Sequence, residues 1–364
     1  MTYNSYQIDL PIKLKRDIKT RLSEIANLLL AKADSMTDFG LFHGRMGIAI
    51  FFYYYAKFTN EKDYEESADE LVDSVLNESN LACLGTDYAN GIIGIGAAIE
   101  YLVQNEIMEG DTDIVLEELD ELINCKLEKN VNDNYALSFL WDCLKYYNFR
   151  IGYKQKNTDC FASLVNKEKL LYLADFIPEK INWCYDNLNA INNLCDIYKL
   201  DIYNSKITCM LDYACQKLET ALWEHLFFNS GSASLELLTG IQALIQSFQT
   251  TENYEYYEKA NRLLKAIEVR KEQDSPKEDF YKNKDILRYA IAYYFLSETA
   301  ENNRYKLRVI KWLETYLKQT ATNKETMDKT EKSEMGLYSG LAREGITLLF
   351  FLTKNKNYIR LLGI

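Results

Sequence analysis

The chain has 364 residues, is 48% hydrophobic and carries a formal net charge of -12 at pH 7. This length is sufficient for a sizeable core, in one large domain or two ordinary ones. An acidic chain repels phosphate backbones, so the charge argues against nucleic acid as a partner. Only three prolines occur. Because proline breaks helix interiors, their scarcity favours an almost entirely α-helical protein.

The first twenty residues contain no apolar core of a signal peptide. No uninterrupted apolar run approaches the ~18 residues that a membrane-spanning helix requires. The eight cysteines include no Cys-x-x-Cys pair, and without a signal peptide we expect them to be reduced. These observations together predict a cytoplasmic protein without a membrane span.

Three stretches of the sequence combine closely spaced glycines with a following apolar run. They read GLFHGRMGIAI from Gly40, NGIIGIGAAIEYL from Asn90 and GLYSGLAREGITLLF from Gly336. Weaker copies of this pattern begin at Tyr135, Asn182, Phe228 and Asn283. The steps of about 45 to 55 residues between copies indicate a repeated unit of secondary structure.

Segments of a different character lie between these copies. In YEESADELVDSVLNES, Leu71, Val72 and Val75 share one side of a predicted helix and carboxylates occupy the other. The same pattern occurs in DIVLEELDELINCKLE, KITCMLDYACQKLETALWEHL and NRYKLRVIKWLETYLKQ. These segments predict amphipathic helices with one wet face, whereas the glycine-led helices are apolar around most of their circumference and should be buried.

The alternation of buried and amphipathic helices predicts an all-α fold. We expect an α/α toroid, a double ring of about seven helical hairpins with the buried helices inside. Glycine clusters favour this closed ring, because inner helices crowd at one end and a side chain would clash there. An open superhelix of the TPR or HEAT type is the alternative, although the TPR consensus is not evident. We expect one domain over residues 1–364, with residues 1–20 as an N-terminal lead-in.

In such a ring the inner helices would begin at one mouth. Free N–H groups and positive dipole ends would then make that mouth suitable for carboxylates or other anions.

The glycine repeats and the stretch NWCYDNLNAI from Asn182 resemble the lanthionine synthetase C-like family. The family's zinc-site motif is Trp-Cys-Tyr-Gly. Trp183, Cys184 and Tyr185 match it, and Asp186 stands in place of the glycine. The resemblance extends over nearly the whole chain through the repeat. It implies an α/α toroid with a central zinc, which activates a peptide thiol for addition to a dehydroamino acid. Related mammalian members add glutathione instead.

The resemblance also implies a set of three protein ligands for this zinc. They are the cysteine of the first motif and a Cys-His pair about 45 residues further on, with one coordination position left open. Asn229 and Ser230 stand where that pair is expected, and an amide and a hydroxyl are poor zinc ligands. His225 lies several residues out of register on the preceding helix. We therefore expect no metal or other cofactor, with Cys184 as a vestigial ligand.

Three residues are candidates for a catalytic role. His43 could act as a general acid or base, or it could be a structural residue of the first glycine-led hairpin. Tyr185 and Lys180 lie beside the matched motif, where they could line a cavity. The expected cavity residues are Trp183, Cys184, Asp186, Asn229, Ser230, Asn90 and Tyr338.

Three functions fit the sequence. The first is a cyclase-like protein of a lanthipeptide-type pathway that lacks the zinc and binds a peptide or a partner protein. The second is an active enzyme with a rebuilt site, either thioether-forming or carbohydrate-active. Glycoside hydrolysis requires paired carboxylates, for which Asp87, Asp186 and Glu344 are candidates. The third is a structural scaffold without a small ligand.

Overall fold

A computed structural model describes residues 8–77, 81, 84–129, 137–152, 161–176, 188–228, 234–269, 283–300, 303–322, 335–360 and 362. These residues form α-helices and one short 3-10 turn at Ala33–Ser35, with no β-strand among them. Within this part of the chain the all-α prediction is confirmed. None of the helices described combines the length and apolar character needed to cross a membrane.

The described helices follow one another along the chain with short connections in several places. They are α1 Ile12–Lys32, α2 Arg45–Thr59, α3 Lys62–Leu76, α4 Ile92–Gln104, α5 Thr112–Val115, α6 Glu117–Lys129, α7 Leu137–Ile151, α8 Phe161–Phe176, α9 Leu188–Tyr198, α10 Asn204–Phe228, α11 Leu235–Thr251, α12 Tyr254–Val269, α13 Asn283–Ala300, α14 Asn303–Thr322, α15 Leu341–Thr353 and α16 Asn357–Arg360. Residues 12–20 of the expected lead-in thus belong to α1.

Burial alternates along the chain as the sequence predicts. Every residue of α2 from Met46 to Ala56 is buried, so this helix is covered on all sides. The amphipathic helix α3 buries Ala68, Leu71, Val72 and Val75 on one face. Since burial of apolar surface contributes ~25 cal/mol per Å², each hairpin is held by the apolar face that its amphipathic helix lays on the buried one.

The chain divides into two compact units. Unit 1 comprises residues 1–23, 183–195 and 208–330, and unit 2 comprises residues 24–182, 196–207 and 331–364. In unit 1, α11 pairs with α12, α13 pairs with α14, and the buried helices α11 and α13 lie side by side. In unit 2 the hairpins are α2 with α3, α4 with α6, α7 with α8, and α15 with α16.

The buried helices of unit 2 also contact one another in a row. Helix α15 packs on α2, α2 packs on α4, and α4 packs on α7. The last long helix of the chain therefore lies against the first glycine-led helix. An open superhelix would keep its first and last repeats apart, so this contact favours the α/α toroid over that alternative.

A buried ionic network joins three helices of unit 2. The guanidinium of Arg150 on α7 is fully buried and donates to Glu100 on α4 at 2.5 Å and to Asp120 on α6 at 2.7 Å. The hydroxyl of Tyr146 donates to the other carboxylate oxygen of Asp120 at 2.6 Å. Because buried charges are tolerated only when paired and hydrogen-bonded, this network fixes the relative placement of α4, α6 and α7.

Candidate functional site

Three glycine loops lead into three buried helices of unit 2. We name them loop A (residues 38–44, before α2), loop B (residues 85–91, before α4) and loop C (residues 335–340, before α15). Each loop ends in the glycine that caps its helix, namely Gly44, Gly91 and Gly340. The φ and ψ angles of these glycines are -119° and -165°, -100° and -175°, and -100° and -171°. The repeat seen in the sequence is therefore also a repeat of backbone conformation.

The backbones of the three loops are hydrogen-bonded to one another. The N–H of Phe42 in loop A donates to the carbonyl of Ala89 in loop B at 2.7 Å. The N–H of Tyr338 in loop C donates to the carbonyl of Phe42 at 2.9 Å. Loop A thus lies between loops B and C, and we call the surface that they share the glycine-loop surface.

Two glycines make this close approach possible. A Cβ on Gly40 would overlap the Cα of Asn90, and a Cβ on Gly336 would overlap the carbonyl oxygen of Phe42. The sequence predicts that glycines relieve crowding between converging helices. The structure shows that these two relieve crowding between the loops that precede the helices.

Aromatic and polar side chains occupy the glycine-loop surface. The residue before each capping glycine is polar and partly buried: His43, Asn90 and Ser339. The ring of Tyr338, which is 54% exposed, lies 5.3 Å from the ring of His43 and 6.0 Å from that of Phe42, measured between centroids. Three of the residues expected from the sequence, His43, Asn90 and Tyr338, therefore lie on adjacent loops of one surface.

The predicted anion site at the helix starts is not supported by these loops. The first N–H groups of the buried helices are bonded to carbonyls of their own loops. Arg45 N–H donates to Asp38 at 2.9 Å, Ile92 N–H to Gly85 at 3.0 Å, and Ala342 N–H to Met335 at 2.9 Å. Because these donors are already satisfied, they do not await a ligand carboxylate.

Carboxylates in loops A and B support the loop backbone. Asp38 accepts from the N–H of Gly40 at 2.9 Å, and Asp87 accepts from the N–H of Asn90 at 2.7 Å. Such side chain to backbone bonds are typical of aspartates in turns. Glu344 is only 7% exposed on α15. The carboxylate pair required for a glycosidase stays a prediction, since Asp186 lies outside the described residues.

The residues of the expected zinc site also lie outside the described part of the chain. They are Lys180, Trp183, Cys184, Tyr185, Asp186, Asn229 and Ser230. Their roles stay predictions. Within the described ranges, no group of three or more histidine, cysteine, aspartate or glutamate side chains could hold a metal ion. The donor set of one thiol, one amide and one hydroxyl does not fit zinc, which binds thiolate, imidazole or carboxylate.

One polar cluster that lies behind loop B was not expected from the sequence. The N–H of Tyr88 donates to Asp142 on α7 at 3.0 Å, and the ammonium of Lys145 lies 3.7 Å from the centroid of the Tyr88 ring. Burial raises the pKa of Asp142 to about 6 and lowers the pKa of Lys145 to about 8. The signal in the sequence was a pair of charged residues three positions apart on a helix predicted to be buried.

The comparison with protein families agrees with the repeat. Residues 35–185 match the family described as lanthionine synthetase C-like protein. The matched range contains loops A and B and helices α2 to α8, and it ends at Tyr185 of the zinc-site motif. No curated protein matches the chain significantly. The resemblance seen in the glycine loops is confirmed, and over residues 35–185 the chain is a member of the lanthionine synthetase C-like family.

Proposed function

We propose that this protein acts in lanthipeptide-type peptide modification as a cyclase-like protein that binds a peptide or a partner protein without the family's zinc. The family match supports a role in a peptide-modifying pathway. The observation that carries the binding role is the contact between Tyr338 and His43 on the glycine-loop surface. There an exposed aromatic ring lies beside polar side chains on adjacent loops.

The glycine-loop surface suits a peptide because of the groups it presents. Aromatic rings provide a large contact area at a small cost in conformational entropy, and tyrosine also offers a hydroxyl. The loop backbones are already hydrogen-bonded to one another. Recognition would therefore depend on the side chains of Phe42, His43, Asn90 and Tyr338 rather than on backbone groups.

The absence of catalysis from the proposal rests on the zinc donor set. Bound zinc would supply a Lewis acid that lowers the pKa of a peptide thiol. Cys184 is the one residue that retains a ligand of the family pattern, and Asn229 and Ser230 are poor substitutes. Among the described residues, no alternative cluster offers a metal site.

Peptide binding can be measured directly by fluorescence anisotropy. The probes are fluorescein-labelled peptides that contain cysteine and dehydroalanine. We expect Tyr338→Ala to weaken binding by about tenfold, the typical loss when an aromatic anchor is truncated. The matched control is Tyr203→Ala, since Tyr203 is also exposed, at 42%, and belongs to unit 2 but not to the three loops. Failure of every peptide to bind, or equal losses in both variants, would contradict the proposal.

A further inference from the structure

Lys145 on α7 is a partly buried lysine whose amine lies over an aromatic ring. Its ammonium lies 3.7 Å from the centroid of the Tyr88 ring. Among the described residues, it has neither a hydrogen bond nor an ion pair. A lysine in this setting loses hydration without gaining a carboxylate partner, so its uncharged form is favoured.

Tyr88 supplies a second polar group that has no partner within the described part of the chain. The residue is only 5% exposed, and its hydroxyl oxygen is buried without a hydrogen bond. Leaving such a group unsatisfied costs about 1–3 kcal/mol. A buried hydroxyl beside an unpaired amine is an arrangement in which a ligand oxygen could satisfy the hydroxyl.

The charged groups around the amine are balanced in sign. Asp142 lies one helical turn before Lys145 and accepts from the N–H of Tyr88 at 3.0 Å. Asp196 on α9 stabilises the charged amine, and Arg360 on α16 destabilises it. Arg360 and Asp196 approach each other to 3.9 Å. Two carboxylates facing two cations do not favour a simple anion, which makes a neutral polar ligand the better match.

We propose that Lys145 is a nucleophilic amine that condenses reversibly with an aldehyde or ketone, with the Tyr88 hydroxyl donating to the carbonyl oxygen and Asp142 carrying the proton. These three groups supply a nucleophile, a hydrogen-bond donor for the developing oxyanion and an acid. This activity requires no metal and does not depend on peptide binding at the glycine-loop surface.

The reaction balances without any further reactant. The amine nitrogen attacks the carbonyl carbon, and the electron pair of the C=O π bond moves to oxygen, which takes up a proton. The resulting carbinolamine then receives a proton from the Asp142 carboxyl on its hydroxyl group and loses water. The C=N bond forms from the nitrogen lone pair, and the nitrogen proton returns to the Asp142 carboxylate. Amine and carbonyl thus give imine and water.

The test uses the full-length protein and pyridoxal as the aldehyde probe. The protein is incubated near pH 7.5, the imine is reduced with borohydride, and the labelled lysines are identified by peptide mass mapping. We expect labelling of Lys145 to be at least about tenfold faster than that of Lys57, an exposed lysine on α2, because a larger share of the Lys145 amine is uncharged than is usual for lysine. The rate at Lys145 should rise with a midpoint near pH 8, set by Asp142, Asp196 and Arg360 around it.

The variant Tyr88→Phe separates the role of the hydroxyl from that of the ring. It keeps the aromatic face under Lys145 and removes the unpartnered hydroxyl, so labelling should slow about fivefold or more while the melting temperature is maintained. The variants Lys145→Arg and Lys57→Arg locate the adduct. If Lys145 reacts no faster than Lys57, or if Tyr88→Phe reacts like the wild type, the proposal is wrong. Both readouts remain decisive even where Lys145→Arg does not fold.

Discussion

Gly40 of loop A lies so close to the Cα of Asn90 in loop B that no side chain fits between them. The hydrogen bond from Phe42 N–H to the Ala89 carbonyl holds the two loops at this separation. The glycines of the repeat therefore set how closely neighbouring hairpins approach at their loop ends. This contact also brings the polar residue Asn90 next to the loop that carries His43.

The first prediction concerns this loop contact. Gly40→Ala should lower the free energy of unfolding by about 1–3 kcal/mol, because the new methyl group must displace backbone atoms of Asn90. Urea denaturation followed by circular dichroism measures the change. Gly85→Ala is the matched control in loop B, since its nearest neighbour is the far end of the Asp87 side chain at 3.2 Å. Equal losses in the two variants would show that the loop contact is not tight.

The second prediction concerns the buried ionic network of unit 2. Arg150→Met should cost about 3–5 kcal/mol of unfolding free energy, because Glu100 then remains charged and buried without its partner. The double variant Arg150→Met with Glu100→Leu should recover part of this loss. Lys169→Met is the control, because Lys169 pairs at 3.1 Å with an exposed Glu128 and should cost at most about 1 kcal/mol. A loss at Arg150 no greater than that at Lys169 would contradict the prediction.

The third prediction concerns the pH dependence of stability. The pKa of Lys145 is about 8 in the folded protein, lowered chiefly by burial from an ordinary value of 10.5. Between these values the unfolded chain binds more protons than the folded one, so this residue makes stability rise with pH over that interval.

Lys145→Met removes this titrating group. The unfolding free energy of the wild type relative to Lys145→Met should therefore increase between pH 8 and pH 10.5, the interval set by the two pKa values. Urea denaturation at several pH values measures the difference. The control Lys57→Met, on an exposed position of α2, should keep a constant offset from the wild type. A constant offset for Lys145→Met as well would mean that the amine is not perturbed.

Much of the fold could be predicted because it depends on local patterns. Glycine spacing and apolar periodicity located the buried helices α2, α4 and α15, and the one-sided pattern of apolar residues located α3. The first glycine-led helix and the last were expected to be neighbours only if the ring closed, and their contact agrees with that expectation. The helix α1 was not recognised, because its many charged residues gave no apolar stripe that stood out.

Features that depend on distant residues could not be derived from the pattern. Arg150 and Glu100 are polar residues on buried helices, and no local signal shows that they pair across 50 positions of sequence. Lys145 and Tyr88 meet in the same way, through the packing of α7 beside loop B. The free N–H groups expected at the helix starts are bonded because each loop folds back on its own helix, which requires the loop conformation to be known.

The proposed function depends above all on the lack of the family's zinc in this protein. Elemental analysis by mass spectrometry, on protein purified without added metal, provides the decisive test. We expect far less than one zinc per chain, and no change in Cys184→Ala. One zinc per chain that is lost in Cys184→Ala would contradict the proposed function.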